Sequence, residues 1–337
     1  MTGAAAACAF VGASVVPAHA DDMPSDVMSA LASVTDHAYQ TPTDASNVLD
    51  GVAEVETVAG GRLAIDERVG VADIEIPVDP SEGLSLSIEH VGIDISVGLP
   101  FAERAKDARV EAEGVVAYDN GNGSTTVPVV KDDGSIQITT VITHAGAPTR
   151  YPYTIALSEG GYLEKLEEGM IVIRDADGDF AGGVLPAWAK DANGADVPTH
   201  FEIDGGVLTQ VVEHDGSVAY PVVADPAVGA GLLGGYWKNR AGGYVYKNGS
   251  QWSTHLSPWG AAVYTQGIVG NEIVKNQGWV EWANYPTTPV TATIEQQYKC
   301  HAQFGYAVWL AGLWWDFETA RGSNPNWLWN PQRCNWD

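Results

Sequence analysis

From about residue 60 to residue 212, apolar and polar residues alternate in short runs, each closed by Gly or Asp. A period of two is that of a strand with one face buried. Ile74, Ile76 and Val78 follow it, as do Leu84, Leu86 and Ile88, and Ile136 with Ile138 after the turn at Asp132, Asp133 and Gly134. The pattern predicts further strands over 110–118, 125–130, 151–157, 170–173, 200–203 and 207–212. Many short strands joined by Gly/Asp turns predict a β-sandwich-like domain over 61–225. Ahead of it, residues 25–37 predict one short helix behind Ser25 or Asp26 as N-cap, with Val27, Leu31 and Val34 on one face. The polar stretch that follows makes 21–60 a partly ordered segment. After residue 236 the pattern is mixed. Val263-Tyr264-Thr265 and Val280-Glu281-Trp282 predict strands, 293–306 predicts a helix with Cys300, Phe304 and Val308 on one face, and 313–319 predicts a strand. The fold class expected is mainly β, with a smaller α+β domain at the C-terminal end.

Charge divides the chain at the same place. Residues 21–225 hold 37 Asp and Glu against 10 Lys and Arg, whereas 226–337 hold 6 against 7. An acidic field of that size repels polyphosphate, so no nucleic-acid partner is expected. Tryptophan divides there too, with Trp188 alone before residue 226 and eleven of the twelve after it. Two coincident shifts mark a boundary, and the Pro/Gly chemistry of 226–235 predicts a short linker leading to an aromatic-rich domain over 236–337. Apolar residues at 45% and charged residues at 18% exclude bulk disorder and coiled coil.

Residues 4–16 form a small-residue apolar run, broken by Pro17 and followed by Ala18-His19-Ala20 and an acidic start. This is the pattern of a signal peptide over 1–20, and it predicts secretion to the extracellular space. The basic residues usual at the start of such a leader are missing, which predicts a true start upstream of Met1. Ala5-Ala6-Ala7-Cys8 matches a lipoprotein box only loosely. Without Cys8, the chain keeps Cys300 and Cys334, an even pair that predicts a disulfide in an oxidising compartment. Closing that loop stabilises the folded chain by roughly 3 to 4 kcal/mol in the chain-entropy model. The longest uncharged apolar run after the leader, 302–315, is too short to span a membrane.

Candidate chemistry is sparse. Asp175, Asp177 and Asp179 offer three carboxylates at alternate positions, the ligand density of a calcium loop, but Asp177-Gly178 is also common hairpin chemistry, and both readings stand. Glu281, His301, Asp316 and Glu318 form an acid/base set in the C-terminal part, apart from His255 and Glu295. Two carboxylates about a sugar bond, one of raised pKa, suit a glycosidase. The structural alternative pairs Glu318 with Arg321 and lets His301 donate to a backbone carbonyl. No nucleophile elbow, zinc-binding helix, P-loop or dinucleotide fingerprint appears, and no cofactor is expected. Eleven Trp and seven Tyr in about 100 residues can fill a core or build platforms for sugars, whose apolar faces cover flat rings. Trp279, Trp282, Trp314 and Trp315 are the candidate contacts, with Arg321 orienting the ligand.

Two resemblances add to this. Ala187-Trp188-Ala189-Lys190-Asp191-Ala192-Asn193-Gly194, then Val197-Pro198-Thr199, then Tyr220 through Pro226 resemble an N-terminal region of secreted actinobacterial proteins, which implies a carrier for C-terminal domains of different kinds. Ser257-Pro258-Trp259-Gly260, Gly278-Trp279-Val280-Glu281, Gln297 through His301, Trp315 through Arg321 and Cys334-Asn335 resemble the secreted actinobacterial family called domain of unknown function twenty-five ninety-nine. That likeness covers about 85 residues. Trp336, Asp316 and Ala320 depart from the family pattern, and the family carries no established activity. The function expected is an extracellular or cell-surface binding module whose partner is a glycan or cell wall. The alternatives are a secreted hydrolase of cell wall or polysaccharide using Glu318 and His301, and an antagonistic effector on a shared carrier.

Overall fold

The computed structural model describes residues 26–41, 44–239, 245–246, 249–305, 314–329, 334 and 336, with the backbone alone at 35–41, 44–47, 245–246 and 249. The expected leader, Cys8, Val308 and Asn335 lie outside the described residues.

The chain is mainly β. A seven-stranded antiparallel sheet runs in the order Thr199–Asp204, Val207–Val212, Arg150–Ile155, Ile93–Gly98, Leu84–Ile88, Ala72–Pro77, Leu63–Val69. A ten-stranded sheet packs against it, with Ile136–Ile142 at its centre between Ser124–Val130 and Ala227–Gly229. Between the two lies a dry core to which Ile74, Leu86 and Ile95 contribute from the first sheet and Val116, Ile138, Ile173 and Val228 from the second. This is the sandwich that the alternation predicts.

The second sheet is covered on its outer face as well. In Ile171–Arg174, Ile171 and Ile173 join the sandwich core, while Val172 points the other way, into a core shared with the C-terminal part. At the other end Val115, Ala117, Val127, Val129 and Val141 pack against α1 (Asp26–Ser33) through Val27, Ala30 and Leu31. With both faces of the sheet covered, Ile136–Ile142 is buried throughout, its polar Gln137, Thr139 and Thr140 included.

Several predicted elements shift. The predicted helix over 25–37 stops at Ser33, and Thr35–Thr41 pairs instead with Asp44–Asn47 as a hairpin. The strand predicted over 110–118 is two, Arg109–Ala112 and Val115–Asp119, paired about a turn at Gly114. The Pro/Gly segment 226–235 is no exposed tether: Ala227–Gly229 sits inside the second sheet, between Phe180–Val184 and Ile136–Ile142, and Leu232 and Leu233 are buried.

The C-terminal part sets three helices, α2 (Pro258–Tyr264), α3 (Gly267–Asn284) and α4 (Ala292–Phe304), against a small antiparallel sheet in which Gly249–Thr254 pairs with Trp237–Lys238 and Trp315–Glu318. Ser257 caps α2, its hydroxyl accepting from Gly260 N at 2.8 Å, and Thr291 caps α4. Val263-Tyr264 and Val280-Glu281-Trp282 are therefore helical, not strands. The β-branched and aromatic triplets have local strand preference, but α3 buries Gly270, Ile273, Val274, Gly278, Glu281 and Trp282, a stripe of helical period. Its Gly and Glu members hide that stripe from a hydrophobic pattern. Gly278 lets the helices approach, since a Cβ there would run into the Tyr298 hydroxyl of α4. The helix predicted over 293–306 and the strand over 313–319 form, as α4 and Trp315–Glu318.

The cores of the two parts merge. Leu166, Met170, Val172, Phe180 and Leu185 share one cluster with Leu232, Trp259 and Trp282. The first turn of α2 is pinned to the sandwich, Trp259 N donating to Asp133 Oδ2 at 2.7 Å. Cys300 and Cys334 form the predicted disulfide, with Cα atoms 5.4 Å apart, beside Trp336. Among the described residues, no helix is long and apolar enough to cross a membrane.

Candidate functional site

The expected contact residues part company. Trp282 and Trp315 are fully buried and serve the core, Trp282 meeting Phe317 edge-on at 5.1 Å and Trp315 meeting Tyr298 at 5.7 Å. A ring without exposed surface offers no stacking face, so these two fill space. Trp279 is half-buried against Tyr298. Trp314 is half-buried beside a surface cleft. Arg321 faces inward, pairing with Glu318 (Nε to Oε2, 2.5 Å) and donating to Cys334 O at 3.2 Å, with its guanidinium over the Trp336 ring. It ties the end of the strand to the disulfide.

The acid/base candidates sit in two places. Glu318 is buried and paired with Arg321, and its backbone is held by the Gln297 amide, which accepts from Glu318 N at 2.8 Å and donates to Glu318 O at 3.1 Å. His301 shares that neighbourhood. Its ring lies parallel to Trp315 at 6.2 Å, its Nε2 is enclosed without a partner, and burial pushes its pKa down to about 4, with Arg321 adding to the fall and the Asp316 backbone opposing it. Asp316 accepts from Ser253 Oγ at 2.6 Å, and Glu295 pairs with Lys299 at 2.6 Å.

Glu281 belongs elsewhere. From the last turns of α3 its carboxylate accepts from Leu232 N at 2.8 Å and Leu233 N at 3.2 Å, and from the Tyr236 hydroxyl at 2.5 Å. Burial drives its pKa up to about 7 against these three donors, which all favour the carboxylate. Glu281 therefore shares no partner with Glu318 or His301.

The chain segment that Glu281 grips forms one wall of a cleft of about 540 Å³ between the sandwich and the C-terminal part. Tyr236, Trp237, His255 and Tyr285 line it from one side, Val71 and Asp132 from the other. Tyr236 and Tyr285 stack at 3.8 Å, and His90 of the sandwich meets both edge-on. Trp237 is 36% exposed. His255 lies nearly parallel to it at 5.6 Å, and Trp314 meets it edge-on at 4.4 Å. Gly235 has to be glycine for this packing, because a Cβ would run into the Trp237 indole. Across the cleft, burial and the neighbouring Asp133 raise the pKa of Asp132, with Lys131 opposing them.

Sequence reasoning missed this cleft. Its residues come from five separate stretches, and the one local signal was the Gly234-Gly235 pair directly before Tyr236 and Trp237. It missed the most exposed indole among the described residues as well. Trp329, 87% exposed, lies in the disulfide loop beside Leu328.

Asp175, Asp177 and Asp179 form the turn between Ile171–Arg174 and Phe180–Val184. Asp175 Oδ1 accepts from Asp177 N at 3.0 Å and Asp179 N at 2.8 Å, so one of the three carboxylates is spent closing its own turn. No cluster of three or more metal-ligating side chains occurs among the described residues. Protein-family models give no match to the chain, and no curated protein matches it.

Proposed function

We propose that this protein is a secreted binding module that holds a cell-surface or extracellular saccharide in the cleft between its two parts. The observation that carries this reading is Trp237. Its ring is exposed at the cleft and is held in place by His255 behind it and Trp314 at its edge. A fixed, exposed indole beside polar groups is the arrangement that covers the apolar face of a pyranose while its hydroxyls are hydrogen-bonded. Asp132 supplies an acceptor for such hydroxyls, and the cleft volume lies in the range of small-ligand sites. Export by the N-terminal leader and an oxidising destination belong to the same proposal, supported by the disulfide. So does membership of the family that the five C-terminal motifs resemble. Hydrolysis by Glu318 and His301 draws no support from an ion-paired carboxylate and an enclosed imidazole.

The test is retention of the full chain on insoluble cell wall, chitin and cellulose. Trp237→Ala is expected to lose retention while Trp329→Ala keeps it. Loss in Trp329→Ala alone would move the platform to the disulfide loop, and no retention of the wild type on any of the three would overturn the saccharide reading.

A further inference from the structure

Glu281 is a buried carboxyl with three donors and, among the described residues, no cation beside it. Among the described residues, the groups that face it are ones that cannot neutralise it: Tyr236 from the cleft wall, with Tyr285 stacked behind it, Tyr298 from α4, and the two backbone amides. His90 approaches from the sandwich, where it stands edge-on to Tyr236 and Tyr285. Its own proton is disfavoured first by burial and then by Arg68, with the Glu281 carbonyl and Glu89 opposing.

The three donors are not scattered. Leu232, Leu233 and Tyr236 belong to the five residues that enter the C-terminal part from the sandwich, and Leu233 and Tyr236 line the cleft directly before Trp237. A carboxylate accepts at both oxygens and holds all three donors. A protonated carboxyl turns one oxygen into a donor and loses the charge that strengthens all three bonds, so its hold on the three donors weakens. From this geometry we propose that Glu281 is a positioning residue that acts as a proton-sensitive clasp: as a carboxylate it holds the wall from Leu232 to Tyr236 and sets Trp237 for binding, and on protonation it lets that wall loosen. This rests on the cleft being the binding site. The titration falls near neutrality because burial, not a charged partner, dominates the group. The protein would then hold its ligand in neutral surroundings and release it in acidic ones.

The experiment is a pH titration, from 5 to 8.5, of the full chain. It follows the amide proton shifts of Leu232 and Leu233 by NMR and, in parallel, the fraction retained on insoluble chitin, cellulose and cell wall. In the wild type both amides are expected to titrate together with a midpoint near 7, and retention to fall on the order of tenfold on acidification with the same midpoint. Glu281→Gln should abolish both titrations; movement left at lower pH belongs to His90. Tyr236→Phe keeps the ring but removes one donor that favours the carboxylate, and should move the amide midpoint up by roughly one unit. That upward shift also tests the clasp if Glu281→Gln fails to fold. Amides that do not move, or that move identically in Glu281→Gln, would overturn the clasp. Amides that titrate while no polysaccharide is retained at any pH would uphold the clasp and overturn the saccharide reading.

Discussion

Buried Glu281 and half-buried His301, both set apart from water at their titrating atoms, oppose each other in the energetics of this protein. Glu281 is raised from 4.5 to about 7, so between those values the folded state holds a proton that the unfolded state has lost, and stability falls as pH rises. His301 is lowered from 6.5 to about 4, so between those values the unfolded state binds the extra proton, and stability rises with pH. The windows overlap from about 4.5 to 6.5, where the two slopes cancel. We therefore expect the urea midpoint of the wild type to change little over that range. Glu281→Gln should uncover a rise towards pH 6.5, and His301→Gln a fall towards pH 7, each on the order of 3 kcal/mol across its window. Parallel profiles for wild type and both variants would count against the burial of these groups. Protonation of Glu281 thus relieves the cost of a buried charge for the fold as a whole while weakening its hold on the donors of the cleft wall. The local and global effects have opposite signs because desolvation acts on the ion and hydrogen bonding on its partners.

At the scale of elements, α3 shows how far local preference can mislead. Its Gly residues disfavour a helix and its Val-Glu-Trp triplet favours a strand, yet it is an 18-residue helix wedged against α4. Gly278→Ala separates the two influences. By helix propensity alone the change would stabilise the protein by up to about 1 kcal/mol. We expect the opposite, a loss of roughly 1 to 3 kcal/mol, because the added methyl meets the Tyr298 hydroxyl, which is buried and donates to Val274 O at 2.9 Å. Chemical denaturation decides the sign. Strand positions were legible where one face is dry and the other wet, as in Leu84–Ile88, whose burial alternates residue by residue. They were not legible in Ala227–Gly229, a strand inside the second sheet whose Pro/Gly chemistry reads as linker. The site was scarcely legible. Trp282 and Trp315 have the same composition signal as Trp237, and only packing separates a core ring from an exposed one.

For the whole molecule, the composition boundary near residue 226 is a boundary of charge, not of cohesion. Trp259 is fully buried among residues of both parts and its amide is held by Asp133. We expect a single cooperative transition in calorimetry, and a loss of about 3 to 5 kcal/mol for Trp259→Ala that lowers the whole transition without splitting it. Two resolved transitions would show that the shared core couples the parts only weakly. The sequence by itself determined the sandwich class, the period-two core faces, a helix from residue 293 and the Cys300–Cys334 pair, because each follows from local periodicity or a count of cysteines. Only the tertiary structure decided that the second sheet is buried on both faces, that residues 227–229 are a strand inside it, and that Glu281 grips the wall of the cleft. Those features depend on which distant segments meet, and a pattern read along one chain carries no information about what lies across from it.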